Sequence, residues 1–215
     1  MQQLVDLFGF LSVVLRAGTL VFQSLLLGGV VFLLWIARGV PGSSEQVTKL
    51  RASARTLLLA SAVALVFMQG LYLYVNTAVL MTTAEIPFSD VVGANFFISG
   101  SIVLAATIVA IAFARSNSKI AAWILPLAAF VVLAASLMTN HAASRMEGRP
   151  LLIALTALHE AATGLWIGGL PFLVLSLWRV KEPVPRLYLT ERFSNCSLHI
   201  VKTTRNSALP LIMRA

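Results

Sequence analysis

The sequence predicts an all-α fold, a polytopic transmembrane bundle of about five spanning helices, with the N-terminus out and the C-terminus in. Three observations predict it. First, 59% of the 215 residues are hydrophobic, only 11% are charged, and the mean hydropathy is +0.90. A soluble domain carries about 25% charged residues to cover its surface. Second, the apolar residues gather into five runs, each reaching the ~20 residues that cross a hydrocarbon core. Third, basic residues favour alternate loops, as the positive-inside rule requires. That pattern absorbs the net charge of +8. The basic balance reports orientation and implies no nucleic acid partner; the implied medium is a lipid bilayer.

The first run covers residues 4–36. No Lys or Arg precedes it and it outruns a signal-peptide core, so it reads as a retained helix that starts outside. Arg16 lies about twelve residues in, and Gly28-Gly29 offers close packing lower down. The loop 37–55 follows, broken by Pro41-Gly42-Ser43-Ser44. The second run, 56–81, contains Gln69 and Asn76, and a short acidic loop with Glu85, Pro87 and Asp90 follows it. The third run is 91–114, and the basic link from Arg115 to Lys119 leads to the fourth, 120–139, with Pro126 near its start. A proline is tolerated there because neighbouring helices can re-satisfy the freed backbone groups. The loop 140–149 carries His141, Met146 and Glu147, and Pro150 opens the fifth run, 150–178.

Orientation follows from the loops. The first loop has four basic residues (Arg38, Lys49, Arg51, Arg55), the second none, and the third two (Arg115, Lys119). The fourth has two (Arg145, Arg149), against the trend, and the first fourteen residues after the fifth run have four (Arg179, Lys181, Arg186, Arg192). From Lys181 to Ala215 the chain turns polar, with no convincing apolar period, and the expectation is a disordered or aberrant cytoplasmic tail. Its Asn195-Cys196-Ser197 matches a glycosylation sequon but falls on the inner side. Cys196 is the one cysteine, so there is no internal disulfide and no CxxC site. Cys196 and His199 alone make no metal site, which needs three or four ligands.

The fifth run holds the chemistry. His159 and Glu160 are adjacent ionisable residues in an apolar stretch, and such residues face a partner, a cavity or an ion. Helical spacing puts His159, Thr163 and Trp166 on one stripe and Glu160, Gly164 and Gly168 on the next. Gly164-x-x-x-Gly168 is a small-residue pattern that lets another helix approach closely. Counted from Pro150 at ~1.5 Å per residue, His159 and Glu160 lie roughly 14 Å below the outer surface. The same counting puts Arg16 and Gln69 near that depth, so Arg16, Gln69, His159 and Glu160 can share one polar layer. Within it, spacing leaves two readings level: a functional layer, or an Arg16–Glu160 ion pair that only pins two helices together. Near the outer helix ends lie Met81, Met138, His141 and Met146, with Met138 and His141 one turn apart. Thioether and imidazole together suit Cu(I). Spacing alone leaves two readings of Met138, His141 and His159 level: copper ligands, or ordinary packing residues. The chain shows no nucleophile–base pair, phosphate loop or paired carboxylates, and it reads as a non-enzyme.

The segment Thr139-Asn140-His141-Ala142-Ala143, then Leu158-His159-Glu160-Ala161-Ala162, running into Leu165-Trp166-Ile167-Gly168-Gly169-Leu170, resembles the copper resistance protein D (CopD) family of bacterial inner-membrane proteins. Arg192-Phe193-Ser194 is similar to that family's entry into its next helix. The resemblance covers residues 139–194; the first four helices match only in kind. It implies copper handling across the bacterial inner membrane, alongside a periplasmic copper-binding partner. His141 and His159 carry over as ligands; Trp166, Gly168 and Gly169 carry over as motif residues without a role. The family continues past the equivalent of Asn195 with further apolar helices, so the tail here looks truncated or frame-shifted. Two alternatives stand beside copper transport. One is a haem-binding electron-transfer protein using the two histidines. The other is a structural or assembly subunit that uses the glycines and the ion pair for packing alone.

Overall fold

The computed structural model describes residues 2–42, 44–139, 149–180 and 183–212. Among them are seven α-helices and no strand. They are α1 (Gln2–Val31), which runs on through a π-helical turn (Phe32–Ile36), α2 (Ser44–Thr83), the short α3 (Phe88–Val92), α4 (Asn95–Phe113), α5 (Lys119–Leu137), α6 (Arg149–Arg179) and α7 (Pro183–Ile212). Five segments are long and apolar enough to cross a membrane: Phe8–Ile36, Glu45–Thr83, Asn95–Phe113, Lys119–Leu137 and Pro150–Arg179. The protein is an all-α membrane bundle.

α1 is the central helix. It packs along α6 and α2 and, over a shorter length, along α5. α4 bridges α2 and α5 on the far side, so α2, α4, α5 and α6 form a ring with α1 inside it. The sequence explains that position. α1 combines buried Leu15, Leu26 and Val30 with the small residues Gly28 and Gly29, and both glycines are needed. A Cβ on Gly29 would stand 2.4 Å from the Phe172 ring, and one on Gly28 would stand 2.2 Å from the Gly168 carbonyl carbon. Phe172 fills the space above Gly29 and meets Phe32 with ring centroids 6.0 Å apart. In lipid there is no hydrophobic drive between apolar helices, so close backbone approach and dispersion hold such an interface.

The helices outrun the apolar runs where charged residues are good helix formers. α2 begins at Ser44, well before the apolar run at 56, because residues 44–55 have an amphipathic pattern of their own. Leu50 and Ala54 are buried there, while Glu45 and Lys49 pair across one turn at 2.6 Å. Hydropathy reads membrane depth and not helicity, so this extension was not visible to it. The acidic loop also contains a helical turn, α3, entered at Pro87. α5 starts on Ser118, whose hydroxyl accepts from the Ala121 amide at 3.1 Å, a regular N-cap.

α7 corrects the expectation of an irregular tail. A helix with little apolar character forms because two of its residues find partners: Leu189 and Phe193, one turn apart, are both buried. A Cβ on Gly169 would meet the Phe193 ring at 2.9 Å, so this glycine seats α7 on α6. The π turn supplies the rest. There the Ala37 amide reaches back to the Phe32 carbonyl at 2.8 Å. A helix C-terminus leaves carbonyls unpaired, and cationic donors suit them. Arg192 donates to the Trp35 carbonyl at 2.8 Å, Tyr188 to that of Arg38 at 3.1 Å and Arg51 to that of Ala37 at 3.4 Å. Gly39, with φ +78°, then turns the chain in a conformation that favours glycine.

Candidate functional site: a polar cleft between three spans

α1, α5 and α6 enclose a cleft of about 220 Å³. α6 lines it with Thr156, His159, Glu160 and Thr163, which share one face at helical spacing. α1 contributes Gln23 and Ser24 between Leu20 and Leu27, and α5 contributes Ser136. His159 lines the cleft yet is exposed, so it stands at the rim, whereas Gln23 is only 5% exposed. Among the described residues the Gln23 Nε2 group has no hydrogen-bond partner. An amide donor buried without a partner costs about 1–3 kcal/mol, so this one marks a place where a polar ligand gains.

A second, narrower cavity of about 10 Å³ lies on the opposite flank of α1. Arg16, Gln69, Tyr72, Ser99 and Thr139 line it, and it shares Gln23 and Ser136 with the cleft. Gln69 is 2% exposed and its Oε1 also lacks a partner among the described residues. Gly100 makes room for Gln69, since a Cβ there would stand 2.6 Å from its Nε2. The layer expected from the sequence is therefore split by the central helix. Arg16 and Gln69 face α2 and α4, His159 and Glu160 face the α5–α6 side, and Gln23 and Ser136 connect the two.

The direct Arg16–Glu160 ion pair does not form: the two are not within 4.0 Å. α5 stands between them and supplies hydroxyls to both. Ser136 Oγ lies 2.6 Å from Glu160 Oε2 and also 2.8 Å from the Leu133 carbonyl. Arg16 donates to Thr139 Oγ1 at 3.2 Å and lies over the Tyr72 ring at 5.9 Å. Thr139 in turn donates to the Ser136 carbonyl at 3.0 Å, so a chain of hydrogen bonds along the end of α5 joins the two charged residues. One turn further along α1, Ser12 donates to Asn76 of α2 at 3.3 Å.

These contacts also fix where the two residues sit along α5. α5 has 19 residues and ends at Leu137. Its ~28 Å length matches the ~30 Å core. Ser136 is one residue from that end and Thr139 two beyond it, so Arg16 and Glu160 are bonded at the end of α5 and not midway along it. α1, α2 and α6, with 30, 40 and 31 residues, are longer than such a core, so depth does not follow from counting along them.

The other candidates fall as follows. Gly164 and Gly168 face α1: a Cβ on Gly164 would meet Leu27 at 3.1 Å, and one on Gly168 would stand 1.7 Å from the Ser24 carbonyl oxygen. Trp166 turns away from the cleft and is exposed. Met138 caps α5 and is exposed, as is Met81; neither lines the cleft. His141 and Met146 lie outside the described residues, and so does the side chain of His199. Among the described residues no three His, Cys, Asp or Glu side chains come together in a metal-sized group. Gln23, Ser136 and Thr139 were missed from sequence. Arg16, Thr19 and Gln23 repeat at i, i+3 and i+7, and Ser136 and Thr139 at i, i+3, which was the available signal.

A scan of protein-family models, a search of curated proteins and a search of solved structures each give no match to this chain.

Proposed function

We propose that this chain handles copper ion across the bacterial inner membrane, with the cleft between α1, α5 and α6 as part of the ion's route. The observation that carries the reading is the opening of His159 and Glu160, together with a buried unpaired Gln23 amide, onto one cavity in an otherwise apolar bundle. Ionisable residues in spanning segments mark ion and substrate pathways. The cargo is inferred from the motif that resembles the CopD family, in which His141 and His159 are the ligand positions. Exposed Met138, at the end of α5 and beside the segment that carries His141, supplies the soft donor that favours Cu(I). The cleft itself offers one imidazole, one carboxylate, hydroxyls and an amide. Selection of Cu(I) therefore belongs to the Met138–His141 end, with His159 as the next, weaker station. Weak successive sites suit passage, since an ion must leave each one. A periplasmic copper-binding protein delivering to the Met138 end fits the same reading, with the N-terminus of α1 outside. The haem alternative suits the geometry less well, because about 220 Å³ is smaller than the ~300–1,000 Å³ of ordinary cofactor pockets.

The test is copper uptake by proteoliposomes holding the full chain, with and without a reductant. His159→Leu is expected to abolish uptake. Met138→Leu, which keeps the volume and removes the sulfur, is expected to weaken loading without loss of stability, and Met81→Leu to change nothing. Reporter fusions after Lys119 and in the Glu85–Asp90 loop are expected to read cytoplasmic and external, respectively. Uptake by His141→Ala and His159→Leu at the parent level would show that the histidines only pack. That result would leave the structural-subunit reading, which the Gly28–Gly168 contact already favours.

A further inference from the structure

At the opposite end of the bundle from Met138, a second cleft of about 360 Å³ opens between the π turn, the start of α2 and the start of α5. Arg38, Arg51 and Arg55 line it together with Ser116, Asn117 and Ser118. Among the described residues none of the three guanidiniums meets a carboxylate, the one ion pair being Lys49–Glu45. Arg55 is held in place by the Arg115 carbonyl at 3.3 Å and by Asn117 Oδ1 at 2.5 Å, and Arg51 by the Ala37 carbonyl. The Arg38 side chain makes no such bond to the described residues. Orientation alone asks only that basic residues lie on one side of the membrane. It does not ask that three, two from α2 and one from the turn before it, converge on one cavity without a counter-charge.

The rest of the lining is apolar: Leu33, Leu34, Ala121 and Leu125 continue from the arginines toward the bundle's interior. The candidate spanning segment of α5 begins at Lys119, next to Ser118 of the cleft, and that of α2 at Glu45, less than two turns before Arg51. The cavity thus combines an anion-binding mouth with a hydrocarbon wall at the membrane boundary. We propose that it binds the phosphate headgroup of an anionic membrane lipid, with the guanidiniums on the phosphate and the first acyl carbons against Leu33, Leu34 and Leu125. Basic pockets between spanning helices recognise such headgroups, and a guanidinium binds phosphate through two parallel N–H donors. The reading is independent of copper handling, because the two clefts lie at opposite ends of the bundle and share no residue.

The experiment is native mass spectrometry of the purified full chain with phosphatidylglycerol, phosphatidylcholine or inorganic phosphate. Phosphatidylglycerol is expected to stay bound where phosphatidylcholine does not. Arg38→Gln and Arg51→Gln are each expected to weaken its retention about fivefold. Arg179→Gln removes a basic residue outside the cleft and is expected to leave retention unchanged. Unchanged helix content in all variants confirms folding. Inorganic phosphate that displaces the lipid at millimolar concentration would make this a soluble-anion site and overturn the lipid assignment. Equal losses in Arg38→Gln and Arg179→Gln, or no loss in either, would overturn the site itself.

Discussion

Replacing Gly168 by alanine is the sharpest test of how this bundle is built. The added methyl would stand 1.7 Å from the Ser24 carbonyl oxygen and 2.4 Å from its carbon. Real Cβ contacts do not fall below 3.0 Å, so α1 and α6 must part locally by about 1.3 Å. The obstacle is backbone against backbone, and no rotamer change relieves it. A gap of 0.5–1 Å already forfeits a quarter to a half of each dispersion contact, and overpacking costs about 1–3 kcal/mol. The loss is expected at the upper end of that range, about 3 kcal/mol, since the contact lies on the most extensive interface of the central helix. Gly70→Ala is the control, because nothing lies within 4 Å of a Cβ there. Reversible unfolding in mixed micelles, or the thermal midpoint in detergent, would measure both variants. If Gly168→Ala proves as stable as Gly70→Ala, the close α1–α6 contact is wrong, and with it the wall of the cleft.

Ser136→Ala removes the hydroxyl that Glu160 uses, and it should destabilise by about 1–3 kcal/mol in the same assay; no loss would show that the 2.6 Å contact has no energetic role. Tyr188→Phe with Arg192→Gln removes two donors to the carbonyls after α1 and should free α7. Two bonds worth about 2 kcal/mol in total imply amide exchange more than tenfold faster in α7, with α1 and α6 unchanged; equal exchange would refute this docking. Burial pushes the Cys196 thiol above its ordinary range, so less thiolate is present at neutral pH. Alkylation should be slow there, with a pH midpoint above that of an exposed cysteine in the unfolded chain; a midpoint at or below it would refute the burial.

The five spans were legible because length and apolarity are properties of the chain alone. Their order around α1 was not, since nothing in a hydropathy pattern says which helix sits inside. The glycines came closest: Gly28-Gly29 and Gly164-x-x-x-Gly168 both announced close packing, but not that each is the other's partner. The polar layer was half legible. Arg16, Gln69, His159 and Glu160 stood out as polar residues in apolar runs, and all four line the two connected cavities. Their pairing was misjudged because opposite charges draw the eye. The hydroxyls of Ser136 and Thr139, common in spanning helices, do not. The π turn had no signal either, because its register is fixed by Tyr188 and Arg192, more than a hundred residues away.

The contact between Gly28 and Gly168 also makes the walls of the cleft unlike one another. Two helices whose backbones touch cannot slide or rotate past one another without a clash, so α1 and α6 behave as a single rigid body. α5 is attached differently. At the cleft it is fastened by Ser136 on Glu160 and Thr139 on Arg16, two side-chain latches a single turn apart. Below them, Pro126, ten residues from Ser136, has no amide to donate, so the ladder of α5 lacks one bond there. The cleft thus has one seam set by backbone contact, and a second wall held by side-chain hydrogen bonds at its end as well as by the packing of Val132 and Ala135.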